Sequence, residues 1–381
     1  VNPILKYILN LSAFQRVVGN DSHLSSLAEA DTLLSDLIND KKIPSLSLTV
    51  LKEGEIMLKK GYGYADLENK TPVDPKKTIF RIASVSKNIA ATALAHMVKD
   101  GQINLGTSFY EYVPYYPKKQ WDFTIRQLAS HTAGIRGYQG TEYGLNKPYS
   151  IKRSIEIFKE DDLRFEPGTD YLYNSFDWVL ISLAMQEVSG IPFEEYVQKK
   201  VLDPIGMTNT FHGEPSTTLR AGSKLAYERE RGDSSAIKME DLATFYSKNK
   251  RGFRVAIPVN NFYKLAGGGY LSTSDDIAKF GQACLEGKVL SEEVFSQFLT
   301  SQIINDAPTY YGLGWQVSED KKGRKFYGHV GNGVGGYSNF FVYPKQQMVI
   351  AILINCTDPK VQEELDSVVD VFLSDSFEFN L

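Results

Sequence analysis

The chain has 381 residues, 42% of them apolar and 23% charged, with a formal net charge of −4. That length suits one or two domains around a sizeable core, and the composition is that of an ordinary globular protein. The scattered charge excludes recognition of nucleic acid by a basic surface, and no stretch approaches the roughly 20 apolar residues of a membrane span.

Residues 1–28 are weakly amphipathic and then polar, and stand apart as an N-terminal extension. The start, Val1-Asn2-Pro3, lacks the basic region, apolar run and cleavage site of a signal peptide. The compartment therefore stays open, with the cell envelope or secretion favoured for a bacterial source. Leu33, Leu34, Leu37 and Ile38 predict a helix over 29–41. Two strands follow, 46–51 and 55–60, joined by the hairpin link Lys52-Glu53-Gly54. Residues 84–99 read as a helix whose apolar face is Ile89, Ala90, Ala93, Leu94, Met97 and Val98; His96 falls on its polar face, where it is expected to be solvated. A further helix runs from Phe176 to Val188, with Gly190 as its stop.

Residues 213–260 show no period and read as long loops or an insertion, their basic cluster Lys248-Asn249-Lys250-Arg251 being a solvated surface. Strands are predicted at 313–317, 325–330, 339–343 and 348–354. The last is a continuous apolar run, as in a central strand. Leu365, Val368, Val369 and Phe372 mark a closing helix. Cys284 and Cys356 provide no disulfide framework and fall in apolar patterns, as small buried hydrophobes do. The order predicts an α+β fold: residues 29–78 plus 295–381 form a sheet domain from both chain ends, and 79–294 form an inserted, mainly helical domain.

Ser84-Val85-Ser86-Lys87 has the pattern S-x-x-K. At the start of a helix this spacing puts a hydroxyl beside an amine on one face. A hydroxyl attacks a carbonyl only when a neighbour takes its proton or stabilises the developing charge. The pattern also occurs at Ser235, Ser247 and Ser318, but those copies lie in polar or charged segments; only Ser84 opens a long amphipathic helix. Taken locally, nucleophile and helix cap both remain open for Ser84.

The segment Phe80–Lys87 resembles the nucleophile segment of the penicillin-binding-protein-like β-lactamase superfamily. Further matches run in family order: Gly61-Tyr62-Gly63-Tyr64-Ala65-Asp66, Ile125 to Ile135 with Ser130-His131-Thr132-Ala133-Gly134, Pro167-Gly168-Thr169, Asp203-Pro204-Ile205-Gly206-Met207, and Ala266-Gly267-Gly268-Gly269-Tyr270-Leu271-Ser272-Thr273. The mitochondrial β-lactamase-like branch is the most similar, sharing Gly134-Ile135-Arg136.

The resemblance implies an antiparallel sheet flanked by helices, a helical domain, and a cleft between them. It implies Ser84 as nucleophile, with Lys87 and Tyr173 moving its proton: Lys87 is either the base itself or the cation that favours a Tyr173 phenolate. It implies the backbone amides of Ser84 and Asn332 as the oxyanion hole. At the second box the usual Tyr-x-Asn is Tyr173-Asn174-Ser175. Asn174 is a candidate substrate contact or a helix cap, capping being favoured; Ser175 stands where the family places its Asn. At the third box His329-Val330-Gly331 replaces Lys-Thr-Gly, which exchanges a permanent cation for one expected to titrate near neutrality. His131 is assigned a structural role. Arg136 and Tyr138 are candidates for the cleft mouth.

Five scattered histidines predict no metal site, Gly267-Gly268-Gly269 lacks the Lys-Ser/Thr of a phosphate loop, and no cofactor is expected. The expected function is a serine hydrolase working through an acyl-enzyme on a small-molecule or peptide substrate. Peptidase or amidase activity ranks first, esterase next and weak β-lactamase last. The alternative of another class is an assembling scaffold on the same fold, with self-association through residues 1–28.

Overall fold

The computed structural model describes Leu24, residues 26–212 and residues 241–374. Most of residues 1–28, and Ser235 with Lys238, lie outside the described residues.

Seven strands form one sheet: β1 (Ser45–Lys52), β2 (Glu55–Asp66), β3 (Thr71–Pro72), β4 (Gln316–Glu319), β5 (Lys325–Gly333), β6 (Gly336–Tyr343) and β7 (Met348–Ile354). Their order is β4-β5-β6-β7-β1-β2-β3, and every pairing is antiparallel. The join between the chain ends is β1 against β7, with Leu46 opposite Ile354 and Lys52 opposite Met348. The link between β1 and β2 turns at Glu53 and Gly54, both at positive φ (54° and 84°), so a two-residue hairpin closes there.

β7 is buried along its whole length, which is why its sequence is continuously apolar. Ile350, Ile352 and Ile354 face α1 (Leu27–Asn39) and the closing helix, packing with Leu34, Leu37, Leu365 and Val368. Val349, Ala351 and Leu353 face the other way, toward the rest of the core. Because side chains alternate across a strand, each sheet face builds its own hydrophobic layer.

Three helices position the site or cover that second face. They are α2 (Ser86–Lys99), α3 (Phe176–Ser189) and α4 (Ser274–Leu285), before the closing helix α5 (Gln362–Phe372). α3 ends at Gly190 with φ 70°, as its glycine requires. α4 belongs to the 79–294 segment, yet it packs on the sheet. Its Ser274 hydroxyl lies 2.7 Å from Ser47 Oγ and 2.9 Å from Thr49 Oγ1 of β1, and a methyl on Gly281 would lie 2.8 Å from the Phe340 ring. The sheet layer therefore recruits a helix from the middle of the chain.

Two local expectations are corrected. Residues 246–255 form a hairpin, Tyr246–Asn249 against Gly252–Val255, rather than a loop; Lys248 to Arg251 occupy its exposed turn. His96 is half-buried, with Nε2 out of contact with water, because α2 is enclosed on nearly all sides. Cys284 and Cys356 are free and buried.

Candidate active site

Strand Phe80–Arg81 pairs with Tyr270–Ser272 and runs into a 3-10 turn, Ala83–Val85, that leads into α2. Ala83 is held at φ 44°, a strained value for a residue with a Cβ, immediately before Ser84. Ser84 is half-buried, and its Oγ accepts hydrogen bonds from Lys87 Nζ at 3.2 Å and from Tyr173 Oη at 2.7 Å. Lys87 is wholly buried and also donates to the Gly267 carbonyl at 2.6 Å. A methyl on Gly267 would press within 3.0 Å of the Ser175 carbonyl, so the glycine-rich match lies wedged between α2 and the start of α3.

Burial, and then the positive charge of Lys264, hold the Lys87 proton affinity well below the ordinary lysine range; Asp177 opposes them more weakly. The amine is thereby poised to accept a proton.

β5 forms the opposite wall. A methyl on Gly331 would lie 2.6 Å from the Ile82 carbonyl and 3.0 Å from the Ser84 amide nitrogen. The Ser338 hydroxyl fixes that approach by donating to the Ile82 carbonyl at 2.7 Å. Ser84 and Asn332 both line the cleft, together with Tyr138, Tyr143, Ser175, Lys264, Gly267 and Gly268. The Asn332 side chain turns away, accepting from the Asp358 amide at 3.2 Å.

The other assigned residues divide. Ser175 reaches the cleft. Asn174 does not serve as a substrate contact: it is buried, Oδ1 accepts from the Asp177 amide at 2.8 Å, and Nδ2 donates to the carbonyls of Ile135 and Leu172 and to Asp177. It caps α3. His329 is likewise withdrawn from substrate. It is fully buried, with Nδ1 2.7 Å from the Val330 carbonyl and Nε2 3.1 Å from Tyr311 Oη.

Burial and the nearby Lys87 push the His329 pKa down to about 3, so the expectation of titration near neutrality is corrected. Tyr138 lines the cleft, but Arg136 is committed elsewhere, paired with Glu142 and Asp161 at 2.7 Å each.

His329 yields a prediction. Between about 3 and the ordinary 6.5, the unfolded chain takes up a proton that the folded ring refuses, so stability falls as pH drops through this window. Replacing His329 by Gln should flatten the acid side of the stability curve measured by denaturant unfolding, and a slope equal to that of wild type would contradict this account.

The sequence reading missed two features. Asp177 lies one helical turn from Asn174 and pairs with His131 at 2.7 Å, both fully buried behind Tyr173. Lys264 stands among the rings of Tyr138, Tyr143 and Tyr263, at 5.0 to 5.8 Å. Asp177 carried a signal, a carboxylate in the apolar face of a helix, whereas Lys264 had none in the linear sequence. Among the described residues no three His, Cys, Asp or Glu side chains converge as metal ligands, and no helix is long and apolar enough to cross a membrane.

The family model "Beta-lactamase" matches residues 30–372. The chain is 26% identical to the mitochondrial serine beta-lactamase-like protein LACTB of Homo sapiens, over 82% of this chain and 71% of that one. D-amino acid amidase from Ochrobactrum anthropi SV3 shares the fold with a TM-score of 0.77 at 21% identity, covering 91% of this chain and 99% of the amidase. An octameric penicillin-binding protein homologue from Pyrococcus abyssi superposes with a TM-score of 0.74 at 23% identity, covering 91% and 77%. The antiparallel sheet flanked by helices is the β-lactamase and transpeptidase architecture, and the chain, an enzyme of the serine-hydrolase type that works through an acyl-enzyme, belongs to the beta-lactamase family.

Proposed function

We propose that the chain is a peptidase or amidase acting on small amide substrates, with Ser84 as nucleophile. The observation that carries this is the convergence on Ser84 Oγ of a buried amine at 3.2 Å and a phenol at 2.7 Å. In this reading Lys87 takes the hydroxyl proton as Oγ attacks the carbonyl carbon. Tyr173, bonded to the same oxygen, passes a proton to the leaving nitrogen. The backbone amides of Ser84 and Asn332 receive the oxyanion, each such donor being worth about 3–4 kcal/mol. Water then releases the acyl group. Gly331 and the cleft positions Ser175 and Tyr138 shape the site.

The solved relative of like fold named as an amidase favours amides over lactams. So does the neutral His329, which provides no cation for the carboxylate of a β-lactam. Esterase action uses the same apparatus and ranks second. Assembly, as in the octameric homologue, is compatible with either activity, and sedimentation of the chain with and without residues 1–28 tests it.

Labelling with a fluorophosphonate probe, read by peptide mass spectrometry, should modify Ser84 and nothing in Ser84→Ala. Parallel D- and L-amino acid amides, short acyl esters and a chromogenic β-lactam then rank the substrates. A folded wild type that resists the probe would sink the hydrolase reading and leave the scaffold.

A further inference from the structure

One wall of the cleft comes from residues 137–145, a stretch with little packing of its own. Residues 139–141 are exposed and a single 3-10 turn follows at Glu142–Gly144, yet this stretch brings Tyr138 and Tyr143 to the cleft. Tyr143 keeps 38% of its surface exposed. The two rings meet edge to face with centroids 6.0 Å apart, and Tyr138 meets Phe176 in the same way at 5.1 Å.

A buried guanidinium ties this wall to the body. Arg136 is 4% exposed, and all five of its N–H groups are used. Nη1 and Nη2 grip the two carboxylate oxygens of Glu142, at 2.7 and 3.1 Å. They also donate to the carbonyls of Gly137 and Ile157, at 2.9 Å each, and Nε donates to Asp161 at 2.7 Å. The guanidinium lies 5.3 Å from the centre of the Phe176 ring, at the start of α3 and next to Ser175. Glu142 Oε2 also accepts from the Gln139 amide at 2.7 Å, which braces the turn between the two tyrosines. Longer bonds complete the attachment, from Lys264 Nζ to the Tyr143 carbonyl at 3.4 Å and from the Asn260 amide to the Leu145 carbonyl at 3.1 Å. Bidentate, charge-assisted bonds fix direction as well as distance, so Glu142 sets where the two rings stand.

Ser84 and Asn332 line the same cleft as these rings, whereas Tyr173, which serves the leaving atom, is not among the described residues that line it. The space between Ser84 and the rings therefore receives the acyl part of a substrate. Two rings set edge to face offer a surface against which a third ring packs and which a methyl group is too short to reach.

We propose that Glu142, acting through Arg136, is a positioning residue that holds Tyr138 and Tyr143 as a specificity subsite for ring-bearing acyl groups. Glu142 itself does not touch substrate. This role rests on the reading of Ser84 as a nucleophile toward an acyl carbon in this cleft.

The test compares p-nitrophenyl phenylacetate with p-nitrophenyl acetate, in wild type and in Glu142→Gln. These activated esters share a leaving group and differ only in the acyl part, so kcat/KM reports acylation of Ser84 by each. Gln keeps the size of the side chain but gives up the paired charge and turns an N–H donor toward the guanidinium or the Gln139 amide. The phenylacetyl-to-acetyl ratio of kcat/KM should fall by about tenfold or more, with the KM for the phenylacetyl ester rising. A purely structural role would lower both substrates alike. A ratio equal to that of wild type in the folded variant, whether or not both rates fall, overturns the proposal.

If Glu142→Gln does not fold, Glu142→Asp carries the same test. It keeps the counter-charge of the buried guanidinium, while its shorter arm draws the turn and the rings away from their places. The ratio should again fall, by less, and an unmoved ratio again overturns the role. Wild type that hydrolyses neither ester fails the hydrolase reading itself. Wild type that hydrolyses them, with an unmoved ratio in the variants, fails only this inference.

Discussion

Lys87→Met should lower the rate of Ser84 labelling and of turnover by about a thousandfold or more, while the protein still folds. Met fills the unbranched space of the lysine stem, and the site is already dry. The loss to the fold is the hydrogen bond to the Gly267 carbonyl, worth about 1–3 kcal/mol when that acceptor is left bare. Against it stands the removal of a group that burial makes expensive to charge. Stability should therefore change little beside activity.

The pH dependence separates the two effects. Burial holds Lys87 well below 10.5, so between its folded value and 10.5 the unfolded chain binds a proton that the folded chain does not. Folding stability from this residue then rises with pH across that window. The variant lacks that slope, so wild type should gain on Lys87→Met as pH rises toward 10.5 in parallel denaturant titrations. A difference independent of pH would mean that Lys87 is a stable buried cation, and the base would then have to be Tyr173.

Gly331→Ala should be nearly as damaging to activity, through geometry alone. The added methyl would lie 2.6 Å from the Ile82 carbonyl and 3.0 Å from the Ser84 nitrogen, and closer still to Ser338 Oγ. The serine hydroxyl can rotate, but the two backbone atoms cannot yield without moving the turn that carries the nucleophile. Overpacking of this kind costs about 1–3 kcal/mol of stability. An oxyanion donor pulled from its 2.7–3.1 Å range costs about a hundredfold to a thousandfold in kcat.

Gly333→Ala, two residues along the same strand, is the control. Its methyl meets only the Ala83 side chain, at 3.3 Å, so a much smaller loss is expected. Equal activity in both variants would remove the close approach of β5 from the mechanism.

Several site features were legible because they are local. Three-residue spacing put Ser84 and Lys87 on one face, and their atoms lie 3.2 Å apart. The placement of Asn174 just ahead of an apolar helical run favoured a cap, and the cap is there. Where the local reading failed, the cause was enclosure. His96 sits on the polar side of α2 by pattern, yet α2 is surrounded, so polarity did not mean solvent. His329 was assigned an ordinary imidazole pKa, but its place inside the sheet removes the water that would stabilise its charge.

Outside the hairpin at 246–255, the sequence by itself determined the main elements and their order, since hydrophobic period dictates helix or strand and a continuously apolar segment such as 348–354 demands cover on both faces. It also determined the pairing of hydroxyl and amine, which one helical turn enforces. Only the tertiary structure decided what surrounds that pair. Tyr173 reaches Ser84 across 89 residues, the Gly267 carbonyl reaches Lys87 across 180, and His131 finds Asp177 across 46. Desolvation and Coulomb fields act through space, so the protonation of Lys87, His131, Asp177 and His329 is a property of the packed core rather than of any segment of the chain.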